Sequence, residues 1–241
     1  MSPAPTPKER GILLSAPMVR ALLAGRKTQT RRLVKPQPIE GGEARIAFDG
    51  TPYVQLIPNA DGNLHGPDEW RLVPCPYGHP GDRLWVKETH ALLWPGEFAP
   101  ERMEDHRIEY RADTDGKVRP GNWSDAHPDD AKENAPRWRP AIHMPRWASR
   151  LLLEVTEVRV ERVQGISEDD AEAEGLARRT VDAWETRGEM WTEWGLPEWP
   201  KSKWRTNPRA AFSVLWDDVH GPGAWERNDW VWVICMKWVT P

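Results

Sequence analysis

Residues 22–32 read LLAGRKTQTRR, and this stretch joins the end of a helix to the start of a strand through a glycine. Residues 16–24, APMVRALLA, predict a short helix that stops at Gly25. Residues 28–34 then favour a strand with alternate side chains on opposite faces. The stretch therefore predicts a helix–turn–strand unit whose strand carries cations and hydroxyl groups.

The same stretch holds groups that could perform nucleophilic chemistry. A threonine hydroxyl is a poor nucleophile alone and needs a base, and a lysine can serve as that base if burial or nearby cations lower its pKa. Three arginines could supply those cations: Arg26, Arg31 and Arg32. A carboxylate would then orient the lysine. The plainer interpretation is a solvated strand, because threonine favours strands and basic residues are common on surfaces.

Length and composition indicate a globular chain with one large domain or one domain with insertions, and they also allow two small domains. The chain has 241 residues, 39% of them hydrophobic, a net charge of −4 and 16 tryptophans, and these indoles can supply core surface that the aliphatic residues do not. Neither a signal peptide nor a membrane-spanning segment is expected. Two cysteines and seven histidines without paired spacing predict no disulfide framework, metal or cofactor, and a cytoplasmic location.

Four further segments have clear patterns. Residues 151–163 predict a strand whose apolar positions change parity near residue 156, which indicates a β-bulge. Residues 230–239 are apolar on both faces and predict a strand flanked by neighbours. Two more helices are expected. One follows Ser167 as N-cap and stops at Gly175, and the other covers residues 207–219 with an apolar stripe formed by Phe212, Leu215, Trp216 and Val219.

The remaining segments are rich in turn residues or tryptophan. Residues 36–70, 92–137 and 177–206 are interpreted as insertions in a single domain that covers residues 1–241. Short strands around a few short helices indicate an α+β fold built on a small mixed β-barrel.

Charge is distributed unevenly. Residues 1–35 carry eight basic residues and one acid, whereas residues 161–175 carry six acids and one base. A basic patch can bind phosphate. Charge alone favours the simpler interpretation, in which the two segments pair with each other or are solvated.

Several motifs occur in one order that resembles the ASCH family of the PUA-like superfamily. The glycine, lysine, threonine and arginine pattern appears at Gly25, Lys27, Thr28, Thr30 and Arg32, and a Gly-Asp-x-Leu-x-Val strand follows at residues 81–86. The central strand, the acidic helix and the closing strand come next. Residues 138–147 and 220–225 also resemble the larger ASCH-like proteins that phages and prophages encode. The resemblance covers about half of the chain and implies a PUA-like barrel flanked by short helices.

The resemblance also implies catalytic residues. Some bacterial ASCH proteins are amidohydrolases that deacetylate N4-acetylcytidine with a threonine, a lysine and a glutamate. Their positions here would be Thr30 as nucleophile, Lys27 as general base and Glu174 as the group that holds the lysine. Glu172 is the alternative carboxylate if the alignment of the acidic helix shifts.

Other residues are candidates for substrate binding. Arg26, Thr28 and Arg32 belong to the motif, and Arg32 shares a strand face with Thr30. Tryptophans beside the matched strands could stack on a base, and a proline-rich turn offers polar groups; these candidates are Trp85, Trp138, His143, Arg146 and Trp147. Each has a simpler interpretation as a core or turn residue.

Three functions follow as alternatives. The first is a module that binds RNA or a modified nucleotide base in a basic, Trp-lined pocket. The second is an amidohydrolase of N4-acylated cytidine-type nucleosides. The third is a phage structural or interaction protein whose Trp-rich loops contact other proteins. The hydrolase requires Lys27, Thr30 and Glu174 within hydrogen-bond reach of one another.

Overall fold

A five-stranded mixed sheet organises the chain in the computed structural model, which describes residues 6–37, 53–56, 71–93, 107–114, 137–182 and 190–239. The sheet contains β1 (Glu9–Leu13), β2 (Gln29–Leu33), β5 (Arg83–Lys87), β8 (Leu152–Arg162) and β11 (Trp230–Trp238). Its strand order is β1-β5-β8-β11-β2. β1 runs parallel to β5, and all other pairs are antiparallel.

Three two-stranded sheets lie outside this main sheet. They pair β3 (Tyr53–Leu56) with β4 (Arg71–Pro74), β6 (His90–Leu93) with β7 (Arg107–Tyr110), and β9 (Ala177–Asp182) with β10 (Met190–Gly195). All three pairs form within the predicted insertions or at their borders. The described parts of those segments therefore contain hairpins rather than loop alone.

Three α-helices are described: α1 (Ala16–Leu23), α2 (Glu168–Ala173) and α3 (Pro208–His220). Their limits agree with the sequence predictions because the end signals are local. The Ser167 hydroxyl accepts a hydrogen bond from the Asp170 N–H, and the Asn207 side chain caps α3 in the same way. The predicted stripe of α3 is wrong at its last position, since Val219 is 65% exposed beyond the buried Phe212 and Trp216.

The predicted bulge in β8 is confirmed. Val155 pairs with Met236 and Glu157 pairs with Cys235, so Thr156 is an additional residue on β8. The extra residue keeps Leu153, Val155 and Val158 in one core although their numbers change parity.

The sheet separates two hydrophobic cores. One face of the sheet packs against α1. The side chains that this face contributes to the core include Ile12, Leu84, Leu153, Trp232 and Ile234. The other face packs on α2 and α3 through Ala171, Phe212, Trp216, Val231 and Val233. Adjacent residues of β11 thus contribute to different cores, which explains why this strand is apolar on both faces.

The Gly-Asp pair before β5 attaches the N-terminal strand to the sheet. Asp82 accepts hydrogen bonds from the Lys8 N–H at 2.8 Å and from Arg10 Nη1 at 2.7 Å. Gly81, with φ +93°, donates its N–H to the Val155 carbonyl at 2.8 Å. The motif that contributed to the family resemblance is therefore a structural connection between β1, β5 and β8.

The described residues do not form a closed barrel, which corrects that part of the sequence prediction. β1 and β2 are the two edges of the main sheet and share no strand pairing. One side-chain bond joins them, from Arg32 Nη2 to the Leu13 carbonyl at 2.5 Å. The architecture is mixed α and β, and within the described residues no helix has the length and apolar character to cross a membrane.

Candidate functional site

Lys27 and Glu174 meet where β2 begins and α2 ends. The two residues form an isolated antiparallel bridge, and the Thr28 N–H donates to the Ala173 carbonyl at 2.9 Å. Lys27 Nζ lies 2.9 Å from Glu174 Oε2, and both side chains are buried, with 2% and 5% exposure. Residues 147 positions apart in the sequence therefore form an ion pair away from water.

Arg31 extends this pair into a larger network. Its Nη1 lies 3.2 Å from Glu174 Oε1, and its Nη2 contacts Glu161 at 2.5 Å and Asp170 at 3.0 Å. Arg159 also pairs with Asp170. We call this set the β2 charge network; it balances three cations against three carboxylates: Lys27, Arg31, Arg159, Glu161, Asp170 and Glu174.

The environment of Lys27 favours a neutral amine more than water does. Burial lowers the pKa of Lys27, and Arg32 and Arg31 lower it further, whereas Glu174 raises it. The Nζ atom donates to the Gln29 carbonyl at 2.8 Å and to the Glu174 carbonyl and carboxylate at 2.9 Å each. These contacts occupy all three donors of the ammonium group.

Thr30 lies on the same strand but on its other face. It pairs with Ile234, which belongs to the core on the α1 side, whereas Arg31 pairs with Val233 in the core beneath α2 and α3. Among the described residues, the Thr30 hydroxyl has no hydrogen bond to Lys27. The structure thus brings together two of the three predicted catalytic residues and places the third across the strand.

Geometry distinguishes the two candidate carboxylates of α2. Glu174 holds Lys27, whereas Glu172 is exposed and accepts a hydrogen bond from the Trp194 indole at 3.0 Å. Glu174 is therefore the carboxylate that can act on Lys27.

A cavity of about 340 Å³ opens between the end of β2, β4, the following turn and the end of α3. We call it the Arg32 cavity. Two cations, Arg32 and Lys35, stand on its wall with the rings of Tyr77 and Trp232 and the imidazole of His220. Its remaining lining residues are apolar: Leu33, Val73, Pro74 and Pro76.

The cations of the Arg32 cavity have no acidic partner within the described residues. Arg32 donates one bond to the Leu13 carbonyl, while its Nε is buried without a partner. The indole N–H of the fully buried Trp232 also has no partner. Buried donors without acceptors are unusual in folded proteins. Trp232 is fully buried, whereas the Arg32 side chain is partly exposed, so the Arg32 guanidinium is the one of these two groups that a ligand in the cavity can contact.

The pKa of His220 is affected by the positive charge around this cavity. Burial lowers the pKa of His220, and Arg32, Arg227 and Lys35 lower it further against the effect of Asp229. Its ring packs against Trp216 at 4.1 Å between centroids, with the two planes tilted by 42°. Burial and the surrounding positive charge therefore both favour the uncharged imidazole.

The other predicted binding residues lie elsewhere. Arg26 is half-buried and Thr28 is exposed near the β2 charge network. Trp85 lies on β5, where the Lys87 ammonium group contacts its ring, and β5 is next to the sheet edge opposite β2. The remaining four follow in the segment before β8, where Trp138 packs under Arg111, Arg146 pairs with Glu9, and His143 and Trp147 are exposed.

Arg32 is thus the one predicted binding residue among the described residues that line the cavity. Tyr77, His220 and Trp232 were not predicted. Trp232 lies within an apolar strand, His220 ends a helix and Tyr77 occupies a turn, so each has an ordinary structural interpretation in the sequence. Lys35 follows a strand that already carries basic residues, and this was the one signal that could have identified it.

Comparison of the chain with protein families, curated proteins and solved structures finds no match.

Proposed function

We propose that this chain is an ASCH/PUA-like domain that binds RNA or a modified nucleotide base, and that the Arg32 cavity is its binding site. The motif residues around Lys27 and the mixed sheet with short helices support the family assignment. The observation that carries the function is the combination of unpaired cations and aromatic rings on one cavity wall.

The size of the cavity suits a single base and its sugar. Ligand sites for small molecules typically measure about 300–1,000 Å³, and the Arg32 cavity lies at the lower end of this range with about 340 Å³. Tyr77 is half-buried and offers a ring on which a base can stack, and the fully buried Trp232 also borders the cavity. Stacking on an aromatic side chain contributes about 1–3 kcal/mol per base.

Binding measurements on two aromatic variants test this proposal. Tyr77→Ala removes the half-buried ring of the cavity, and Trp147→Ala removes an exposed ring outside it. The ligands are the four nucleosides, their 5′-monophosphates, N4-acetylcytidine and a short single-stranded RNA, titrated by calorimetry. We expect Tyr77→Ala to weaken binding about ten-fold, in line with the loss of one stacking contact, while Trp147→Ala leaves it unchanged.

The reverse pattern would place the binding surface around Trp147, in the segment before β8. If the folded protein binds none of these ligands, the proposed function is wrong, and a protein-interaction role becomes the better explanation of the exposed aromatic residues.

A second function, amidohydrolysis of an N4-acylated cytidine, is favoured by the Lys27–Glu174 contact. In that reaction the Thr30 oxygen attacks the amide carbonyl and Lys27 accepts the hydroxyl proton. Lys27 then returns this proton to the departing cytosine amine, which leaves an acyl ester on Thr30 for water to hydrolyse. Glu174 keeps Lys27 in place. The reaction needs Lys27 to exchange one of its three acceptors for Thr30, which lies on the other face of β2.

Turnover of N4-acetylcytidine decides between binding and hydrolysis. Thr30→Ala removes the nucleophile, and Thr30→Ser keeps it with almost the same volume. A hydrolase predicts activity in the wild type, at least a 100-fold loss in Thr30→Ala and partial activity in Thr30→Ser. Binding without turnover by the wild type would support the first function and exclude this substrate class.

A further inference from the structure

We propose that the Arg32 cavity contains a phosphate subsite, so that its ligand is a single phosphorylated nucleotide rather than a nucleoside. Arg32 and Lys35 form this subsite, and the aromatic wall holds the base. The base half of the inference rests on the proposed function, whereas the phosphate half rests on the cavity alone.

The first evidence is the contrast between the cavity cations and other arginines. Arg32 and Lys35 have no ion pair within the described residues. Six other buried or half-buried arginines lie within 3.2 Å of a carboxylate oxygen: Arg10, Arg20, Arg31, Arg150, Arg159 and Arg179. Arg26, Arg111 and Arg205 are half-buried without an ion pair among the described residues, but unlike Arg32 they do not line the cavity beside a second cation. Leaving two adjacent cations without an acid on a concave wall concentrates positive potential there.

The second evidence is the arrangement of donors. The bond from Arg32 Nη2 to the Leu13 carbonyl fixes the orientation of the guanidinium group and leaves Nη1 and Nε without acceptors in the described structure. The planar fork of arginine suits phosphate oxygens, and lysine adds a mobile point charge. Lys35 is exposed and can approach a ligand without unfolding any element.

The third evidence is the state of His220 on the same wall. The group facing the cations is an uncharged imidazole rather than a carboxylate, and its pKa is lowered by burial and by those cations. Asp229, the acidic residue that influences His220, is paired with Arg227 at 3.3 Å. Negative charge that would compete with a phosphate is therefore already neutralised.

The charge of the ligand follows from this count. A terminal phosphate carries about −1.5 to −2 charges at pH 7 and three acceptor oxygens, which match two cations better than the single charge of an internal phosphodiester. The volume of about 340 Å³ also restricts the ligand to about one nucleotide. A nucleoside 5′-monophosphate satisfies both conditions.

Calorimetric titration of the full chain at low ionic strength tests the inference. The probes are the four nucleosides, their 5′-monophosphates, inorganic phosphate and acetate. We expect at least one monophosphate to bind ten-fold or more tightly than its nucleoside, and inorganic phosphate to compete with it, whereas acetate does not. Lys35→Gln should remove at least five-fold of this preference, measured as the ratio of monophosphate affinity to nucleoside affinity in the same variant.

Two further variants complete the design. Arg178→Gln removes an equally positive, exposed side chain from β9, outside the cavity, and should retain the full preference. Arg32→Gln should abolish the preference; because it also removes the Leu13 contact, Lys35→Gln is the deciding variant.

The outcomes separate the two proposals. Equal affinity for nucleosides and monophosphates, lost in Tyr77→Ala, would overturn the phosphate subsite and keep base binding. Binding of inorganic phosphate that depends on Lys35, without any gain from a base, would keep the subsite and overturn base binding. Failure of every probe to bind would overturn both.

Discussion

Lys27 and Glu174 are both buried, so water cannot solvate either charge when its partner is removed. The contribution of the pair to the free energy of unfolding should therefore be large enough to measure. Lys27→Met leaves Glu174 buried with Arg31 alone at 3.2 Å. Removing one partner of a buried ion pair typically costs about 3–5 kcal/mol. We expect Lys27→Met to lower the free energy of unfolding by about 3 kcal/mol, measured by urea denaturation.

The second half of this test is a double variant. Lys27→Met combined with Glu174→Gln should recover at least 1 kcal/mol relative to the sum of the single variants, as expected for coupled neighbours. The exposed pair between Lys203 and Asp218, at 2.7 Å, is the matched control. Lys203→Met should cost less than about 1 kcal/mol. Equal losses in both pairs would contradict the importance of burial.

For individual residues, the sequence predicted a contact where a motif specified the positions. It did not predict the residues that only the folding of distant segments brings together. Lys27 and Glu174 were predicted partners and they are in contact. Tyr77, His220 and Trp232 come together from a turn, a helix end and a strand. No local sequence pattern predicts that these three residues line one cavity, because each is a common residue type in its own turn, helix end or strand.

Gly175 controls how α2 reaches the start of β2. Its φ is +106°, and an added Cβ would lie 2.9 Å from the Ala21 Cβ and 3.1 Å from the Lys27 Cβ. Gly175→Ala therefore combines left-handed strain, about 1–2 kcal/mol, with a steric clash against α1. We expect a loss of about 2–4 kcal/mol in unfolding free energy, measured by urea denaturation.

Two other glycines separate these contributions. Gly221 has φ +94° with nothing within 4 Å of an added Cβ, so Gly221→Ala should show the conformational cost alone. Gly165 has neither feature, and Gly165→Ala should change stability by less than about 0.5 kcal/mol. A loss at Gly175 no larger than that at Gly221 would show that the contact with α1 is unimportant.

Most elements of the main sheet and all three described helices could be predicted, since caps, glycine stops and apolar alternation are local signals. The bulge at Thr156 was also evident from parity alone. The small hairpins were less visible because their strands are short. Half of the residues of β9 are charged, and β10 mixes tryptophans with polar residues. Pairing between β6 and β7 connects separate segments, so nothing in either strand alone indicates it.

For the whole molecule, the stability of the fold at acid pH depends on Asp82, whose carboxylate attaches the N-terminal strand to the sheet. Burial would raise the pKa of Asp82, but hydrogen bonds from Lys8, Arg10 and His79 lower it to about 2. Because an unfolded aspartate titrates near about 3.9, this carboxylate contributes stability above about pH 4 and loses it as the pH falls towards about 2.

Asp82→Asn should therefore reduce the free energy of unfolding by about 2 kcal/mol at pH 7, from a shift worth about 1.4 kcal/mol per pH unit. The difference from the wild type should shrink between about pH 4 and pH 2 in denaturation experiments repeated across that range. Arg10→Gln should reproduce part of the effect. A difference that stays constant down to about pH 2 would contradict a role for the ionised carboxylate.

Closure was the feature of the whole molecule that sequence patterns did not determine. A bulged central strand and short helices are compatible with a closed barrel and with a curved open sheet. Pairing between the edge strands decides between them, and within the described residues these edges share the side-chain contact of Arg32 rather than a strand ladder.

The position of β11 has a consequence for how the protein is made. β2 ends at Leu33 and β8 begins at Leu152, but in the sheet these strands are joined through β11, Trp230–Trp238. During synthesis, the edges of β2 and β8 that pair with β11 therefore stay unpaired until residue 238 has left the ribosome. Long-range pairing of this kind folds slowly and exposes strands to aggregation. Newly made protein should consequently depend on chaperones more than its modest size suggests.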